Sequence, residues 1–200
     1  MTRVLLVRHG ESTWNVEGRW QGHADAPLTE LGERQAQAAA DSLDFEITAV
    51  WSSDLSRARR TAEVLAAGAG VDQVRVDQRL RERDVGEWTG MTRGEIEEQW
   101  PGYLAEHKSP PGFEVDADVA ERTLVAVRHL GATEAPDAVV LAVAHGGVIR
   151  TVERRLGVDP APVPNLAGRW LTVSGDEVHA GKRQLLIDPD DVEVTVPPPR

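Results

Sequence analysis

The feature that most constrains the fold is an apolar run that ends in a cation and an imidazole. Residues 4–7 read Val-Leu-Leu-Val and are followed at once by Arg8, His9 and Gly10. Four consecutive branched apolar residues are typical of a strand buried on both faces inside a parallel sheet. Open α/β sheets place their ligand crevices at the carboxyl ends of such strands. The run therefore predicts that Arg8 and His9 border a functional site.

A second apolar run repeats this pattern late in the chain. Residues 138–144 form another buried strand, and it ends in His145, Gly146 and Gly147. In parallel strands both imidazoles would project from the same edge of the sheet. A single histidine at a strand end is usually a hydrogen-bonded structural residue. Two in the same local context favour a shared site.

The remaining pattern predicts one α/β domain over residues 1–200, with a short loose tail from about residue 190. Strands alternate with helices, which indicates a three-layer sandwich with a mostly parallel central sheet flanked by helices. The predicted strands are 3–8, 47–51, 74–76 and 138–144, with an edge hairpin over 170–180 and a short strand at 185–187. The predicted helices are 30–43, 55–67, 93–100, 116–131 and 147–156.

Composition excludes several classes of function. The net charge of −11 argues against broad contact with nucleic acid or anionic lipid, since both need a basic face. The absence of cysteine excludes disulfides, thiolate catalysis and cysteine metal sites. The sequence has no signal-peptide core and no membrane-length apolar run. We therefore expect a cytoplasmic protein with no nucleic-acid or membrane partner; a homodimer is compatible with the sequence.

The charged neighbours of the histidines favour an anion over a metal. Arg8 would repel a dication beside His9, whereas a guanidinium offers paired donors to phosphate oxygens. Arg57, in the first turn of a helix, would add to an anion site, although taken alone it is typical of a solvated arginine. This chemistry suggests phosphoryl transfer to a histidine, with an acid to protonate the leaving oxygen. Residues 79–90 contain several acids, and composition does not choose among them.

At these residues the chain resembles the histidine phosphatase superfamily, in its phosphoglycerate-mutase-like branch. The resemblance rests on blocks in family order over roughly residues 3–150. They are the stretches 6–15, 21–32, 52–62, 80–88 and 143–147. The resemblance implies a phosphoglycerate-mutase-like fold, no metal and no other cofactor.

The resemblance also implies a role for each matching residue. His9 resembles the nucleophile that becomes phosphohistidine, and Glu82 the general acid. Arg8, Arg57 and His145 resemble the phosphate pocket. The expected substrate contacts are Asn15, Gln21, Gly22 and Gly146.

The function so implied is a phosphomonoesterase acting on a small phosphorylated metabolite. Two alternatives remain open: a cofactor-dependent phosphoglycerate mutase, and a catalytically silent phosphate-binding domain. Mutases carry a longer basic insertion after the Glu82 block, whereas residues 93–110 here contain only Arg93 and Lys108 as cations. Two stretches depart from the family pattern, 111–115 and 167–170, and both are expected to border the organic part of the substrate.

Overall fold

The strands and helices alternate along the chain as the sequence predicts. The computed structural model describes residues 1–196. The strands are β1 (Thr2–Arg8), β2 (Ala49–Ser52), β3 (Val74–Val76), β4 (Val139–Ala144), β5 (Ala167–Ser174) and β6 (Glu177–Leu185). The helices are α1 (Thr13–Val16), α2 (Glu30–Asp41), α3 (Ser56–Gly68), α4 (Arg93–Gln99), α5 (Asp116–Thr133) and α6 (Gly146–Arg155).

Six strands form one sheet in the order β3-β2-β4-β1-β5-β6. The first four in this order are parallel neighbours, and β5 and β6 add an antiparallel hairpin at one edge. Each strand of the central pair, β1 and β4, is covered on both sides. This burial explains why their sequences are continuous apolar runs rather than alternating ones.

Two apolar clusters sandwich the sheet. Alternate residues of β1 and β4, such as Leu6 and Ala142, pack with helices α5 and α6 on one face. Their neighbours, such as Leu5 and Leu141, pack with α2 and α3 on the other face. The predicted three-layer α/β architecture is therefore confirmed.

A third, smaller cluster lies in the region between β3 and α5, most of which was predicted to be loop. Val85, Trp88 and Ile96 are buried there, with Trp20 and Phe113 packed against them. The ring centroids of Trp20 and Trp88 are 5.1 Å apart. The aromatic packing in this third cluster gives the loop-rich segment a small apolar core of its own.

The chain departs from the sequence-based expectations near its end. Residues 185–187 do not form a separate strand, since β6 ends at Leu185. Part of the tail that was expected to be loose from about residue 190 contacts the rest of the domain, and its mobility stays a prediction. The Asn165 backbone N–H donates to the Thr195 carbonyl, and the Thr195 hydroxyl donates to Glu11 at 2.6 Å. Residues 197–200 lie outside the described residues.

Candidate active site

Two histidines meet at the carboxyl edge of the sheet. Arg8 and Ala144 pair in register across β1 and β4, so His9 and His145 each follow directly after a paired residue. The His9 backbone N–H donates to the Ala144 carbonyl at 3.1 Å. The two ring centroids are 5.1 Å apart, with an interplanar angle of 63°. The structure therefore brings both imidazoles together at one edge of the sheet.

His9 is held as a neutral imidazole. The residue is 3% exposed, and its Nδ1 lies 2.6 Å from the Gly10 carbonyl oxygen. Because a carbonyl oxygen only accepts, Nδ1 carries the proton and Nε2 keeps a lone pair. Burial, and then the charge of Arg57, hold the pKa of His9 well below its ordinary value. An unprotonated ring nitrogen is what a nucleophilic histidine requires.

The His145 ring packs edge-to-face against the His9 ring, and the residue is completely buried. Burial, followed by the charge of Arg57, also holds its pKa well below the ordinary value. Neither ring nitrogen of His145 has a hydrogen-bond partner among residues 1–196. A buried polar group without a partner requires an explanation in a folded protein. A phosphate oxygen beside His9 would supply that partner.

Arg57 is buried, although its sequence context alone is typical of a solvated arginine. It lies in the first turn of α3 and is 1% exposed. Its Nη1 donates to the Ala24 carbonyl at 2.7 Å, and its Nη2 to the Gly22 carbonyl at 3.0 Å. Burial lowers its pKa to about 10, opposed by the charges of Glu82 and Asp25. The side chain therefore stays cationic at neutral pH.

Arg8 supplies the second cation beside His9. It is 5% exposed, and its Nη1 donates to the Val163 carbonyl at 2.8 Å. Its side chain lies against the start of α6, because a Cβ added to Gly146 would be 3.3 Å from Arg8 Cδ. Two buried guanidinium groups at one cavity create a strong local preference for an anion.

Glu82 is placed over the first turn of α6. Its Oε1 accepts from the Arg83 backbone N–H at 2.9 Å, and its Oε2 accepts from the Gly147 N–H at 3.1 Å. A Cβ on Gly147 would lie 2.3 Å from Glu82 Oε1. A side chain at position 147 would therefore displace the Glu82 carboxylate from its present place.

Two amide side chains are oriented by one serine. Ser12 donates both hydrogen bonds: its N–H donates to Asn15 Oδ1 at 3.1 Å, and its hydroxyl donates to Gln21 Oε1 at 3.1 Å. With their oxygens engaged in this way, Asn15 and Gln21 each offer an NH2 group as a donor. These donors match the needs of phosphate oxygens.

These groups surround a cavity of about 190 Å³. Eight of the nine residues that the sequence predicts for the site line it, and the ninth, His145, packs with its ring against His9. The eight are Arg8, His9, Asn15, Gln21, Gly22, Arg57, Glu82 and Gly146. The arrangement combines an unprotonated imidazole, two cations and a carboxyl group, which is the set that phosphoryl transfer requires.

Other residues that line the cavity were not predicted from the sequence. Gly147 had a visible signal, since it completes the His-Gly-Gly turn. Arg150 follows it by one helical turn. Thr195 and Val196 had no local signal, because the tail reaches the cavity only through tertiary packing. The others are Trp14, Gly18, Arg19, Trp20, Arg83, Val85, Arg93 and Val163.

The two stretches expected to border the organic part of the substrate do not line the cavity. Glu114 of the first stretch binds Arg122, with Arg122 Nε donating to its Oε1 at 2.6 Å. Arg169 of the second stretch donates to Glu153 at 2.8 Å. Both polar side chains are occupied by ion pairs, and contact of these stretches with the organic part of a substrate stays a prediction.

Neither a metal cluster nor a membrane span is found in the described part of the chain. Residues 1–196 contain no group of three or more His, Asp or Glu side chains that could hold a metal ion. No helix in the same range is long and apolar enough to cross a bilayer.

Comparison with known proteins agrees with this geometry. The model of the histidine phosphatase superfamily (branch 1) matches residues 4–186. Glucosyl-3-phosphoglycerate phosphatase of Mycobacterium tuberculosis is 38% identical over 191 residues, covering 86% of this chain and 85% of the relative. Metal-independent phosphoserine phosphatase of Arabidopsis thaliana is 35% identical over 197 residues, covering 94% and 80%. Relatives at comparable identity carry phosphoglycerate mutase names.

A solved structure extends the agreement to three dimensions. The structure of mycobacterial glucosyl-3-phosphoglycerate phosphatase with VO3 superposes with a TM-score of 0.78 and 34% identity, covering 90% of this chain and 96% of that one. The predicted fold class and the predicted enzyme class, a phosphoric monoester hydrolase of the histidine phosphatase type, are confirmed.

Proposed function

From the chain's membership of the histidine phosphatase superfamily (branch 1), we propose that it hydrolyses small phosphomonoesters through a phosphohistidine on His9. The observation that carries the proposal is the His9 imidazole itself. Its Nδ1 is engaged with the Gly10 carbonyl, its Nε2 is unprotonated, and it lines a cavity that also contains Arg8, Arg57 and Glu82.

The reaction has two steps. In the first, His9 Nε2 attacks phosphorus, the ester P–O bond breaks, and Glu82 gives its proton to the leaving oxygen. In the second, water attacks the phosphohistidine, Glu82 takes the water proton, and inorganic phosphate leaves His9 regenerated. Arg8 and Arg57 stabilise charge on the transferring group.

The remaining predicted residues bind the phosphoryl oxygens. We assign the NH2 groups of Asn15 and Gln21, the N–H of Gly146 and the His145 ring to this role. Gly22 acts through its backbone, since its carbonyl accepts from Arg57.

For the substrate, we propose a phosphorylated alcohol that also carries a carboxylate. Arg93 and Arg150 line the cavity and form no hydrogen bond or ion pair that would occupy them within residues 1–196. Arg150 lies near Glu82, whose charge opposes the lowering of the Arg150 pKa by burial. The leaving group, which Glu82 protonates, would therefore lie close to the Arg150 guanidinium. Glucosyl-3-phosphoglycerate and phosphoserine, the compounds in the names of two relatives, are esters of this kind.

Two variants and a panel of phosphate esters test the proposal. His9→Ala should abolish phosphate release, and the wild-type protein incubated briefly with substrate should carry acid-labile phosphate on His9. The control is His179→Ala, at an exposed histidine, which should retain full activity. Near-normal release by His9→Ala would overturn the assignment.

The same panel separates the alternatives. Isomerisation of phosphoglycerate that depends on a bisphosphorylated primer would identify a mutase, and binding of esters without turnover would identify a silent domain. The cytoplasmic location and a homodimer stay predictions, which cell fractionation and light scattering would test.

A further inference from the structure

An arginine outside the cavity clasps the backbone that carries Glu82. Arg122, on α5, donates from Nη1 to the carbonyl oxygens of Arg79 at 2.8 Å and Arg81 at 2.7 Å. Its Nη2 donates to the Glu82 carbonyl at 3.1 Å. One guanidinium thus holds three carbonyls of the segment that ends in the proposed general acid.

The other side of the same guanidinium is anchored by a carboxylate. Arg122 Nε and Nη2 donate to the two oxygens of Glu114 at 2.6 and 2.9 Å. Burial would raise the pKa of Glu114, but the hydrogen bonds and charge of Arg122, together with the Asp84 N–H, outweigh it and hold that pKa below its ordinary value. Glu114 also accepts from the Asp84 backbone N–H at 3.2 Å. The Arg122–Glu114 pair therefore holds the backbone on both sides of Glu82, at Arg79 and Arg81 before it and at Asp84 after it.

A second donor completes the hold on Glu82. His23 Nε2 lies 2.8 Å from the Glu82 carbonyl oxygen, which can only accept. Both lone pairs of this carbonyl are thus used, one by His23 and one by Arg122. The Glu82 carboxylate is fixed separately, by the N–H groups of Arg83 and Gly147.

We infer that Arg122 is a positioning residue for proton transfer by Glu82, an inference that rests on the proposed function. Only an arginine offers five donors in a rigid fork, and this site uses that fork on three carbonyls and a carboxylate. A lysine keeps the charge but has a single nitrogen, so it cannot hold all of these acceptors. Loss of the fork should let the Glu82 backbone shift, and a shift near 1 Å can cost about 10²-fold in rate.

A pair of substrates distinguishes this role from a purely structural one. p-Nitrophenyl phosphate releases a stable phenolate and needs little help from a general acid, whereas an alkyl phosphate needs a proton on its leaving oxygen. The parameter kcat/KM reports steps up to phosphorylation of His9. Arg122→Lys should lower kcat/KM by about 10²-fold for the alkyl ester and leave it nearly unchanged for p-nitrophenyl phosphate.

The matched control is Arg169→Lys, which alters an arginine that also donates to a carboxylate and a carbonyl, namely Glu153 and Gly181. It should not separate the two substrates. Should Arg122→Lys not fold, Glu114→Gln and His23→Ala test the same anchor and should show the same substrate selectivity. Equal losses on both esters, or no loss, would overturn the inference.

The inference and the proposed function fail in different ways. Glu82→Gln should itself lose activity selectively on the alkyl ester. If Glu82→Gln shows no selectivity, the assignment of Glu82 as the acid fails. If Glu82→Gln is selective but the Arg122 and Glu114 variants are not, only the positioning role fails.

Discussion

At the scale of single residues, His9 and His145 show how tertiary surroundings separate groups with the same local sequence. Each follows a buried strand and precedes a glycine. The His9 ring donates to the Gly10 carbonyl and lines the cavity, whereas the His145 ring packs against it and has no hydrogen-bond partner in the described chain. The sequence could place both imidazoles at one edge, but the difference between them is set by neighbours that are distant along the chain.

Gly147 provides a prediction at the same scale. Gly147→Ala would put a Cβ 2.3 Å from Glu82 Oε1, so the carboxylate must move away from its N–H donor. We expect kcat/KM for alkyl phosphates to fall by about 10²-fold or more, the usual contribution of a general acid. Steady-state kinetics on the purified variant measures this.

The control for this substitution is Gly94→Ala, in α4, where the nearest atom to an added Cβ would be 3.9 Å away. It should leave the rate unchanged. Full activity of Gly147→Ala on alkyl phosphates would show that the carboxylate does not need its present position.

At the scale of elements, the start of α3 shows where local rules fell short. Ser52, Ser53 and Asp54 are residue types that commonly cap helices, yet Leu55 is the N-cap of α3 and makes no side-chain cap. The Ser56 N–H instead donates to Asp25 Oδ1 at 2.7 Å, and Arg81 donates to the Asp54 carboxylate. Charged side chains pair with partners across the fold, which no local pattern reveals.

The attachment of α6 to the edge hairpin gives a second prediction. Glu153 of α6 is 0% exposed and accepts from Arg169 of β5 and Arg183 of β6, both at 2.8 Å. Removing one partner of a buried ion pair leaves its counterpart uncompensated. Breaking a buried ion pair typically costs about 3–5 kcal/mol. Glu153→Ala should lower the free energy of unfolding by about 3 kcal/mol, the lower end of this range, because Arg183 is partly exposed.

Urea unfolding followed by circular dichroism measures this change. Glu63→Ala is the control, because Glu63 forms an exposed pair with Arg59 and exposed pairs contribute less than about 1 kcal/mol. A loss of stability no larger than that of Glu63→Ala would refute the structural importance of Glu153.

At the scale of the whole molecule, a negative protein contains a positive cavity. The chain carries a net charge of −11, yet Arg8, Arg57, Arg93 and Arg150 all line one pocket. The global charge disfavours polyanions such as nucleic acid, and the local charge selects a small anion that fits inside.

Burial of the two site histidines predicts how global stability depends on pH. Both have folded-state pKa values well below the ordinary 6.5, so below pH 6.5 the unfolded chain binds protons that the folded chain does not. The contribution of these two histidines to the free energy of unfolding is therefore fully present above pH 6.5 and is lost as the pH falls below 6.5. When the pH is lowered from 7.5 to 5.5, each of the two histidines should reduce the free energy of unfolding by about 1.4 kcal/mol.

Unfolding free energies at the two pH values, for wild type and for His9→Asn/His145→Asn, measure this contribution. The double variant should lose most of the difference, and His179→Asn, at an exposed position, should keep it. An unchanged pH dependence in the double variant would show that other groups cause it.

Most helices and strands, and the pairing of two histidines at one sheet edge, follow from the sequence alone. Strands that are buried on both faces appear in the sequence as continuous apolar runs, because both faces must be apolar. The carboxyl ends of such strands meet at one edge of a parallel sheet. That reasoning predicted the α/β sandwich and, together with the family resemblance, eight residues of the cavity wall. Tertiary structure alone decided the anchor of Glu82 by Arg122 and the placement of Thr195 at the cavity. These contacts join residues about 40 and 180 positions apart, and a hydrogen bond of that span leaves no local periodicity to read.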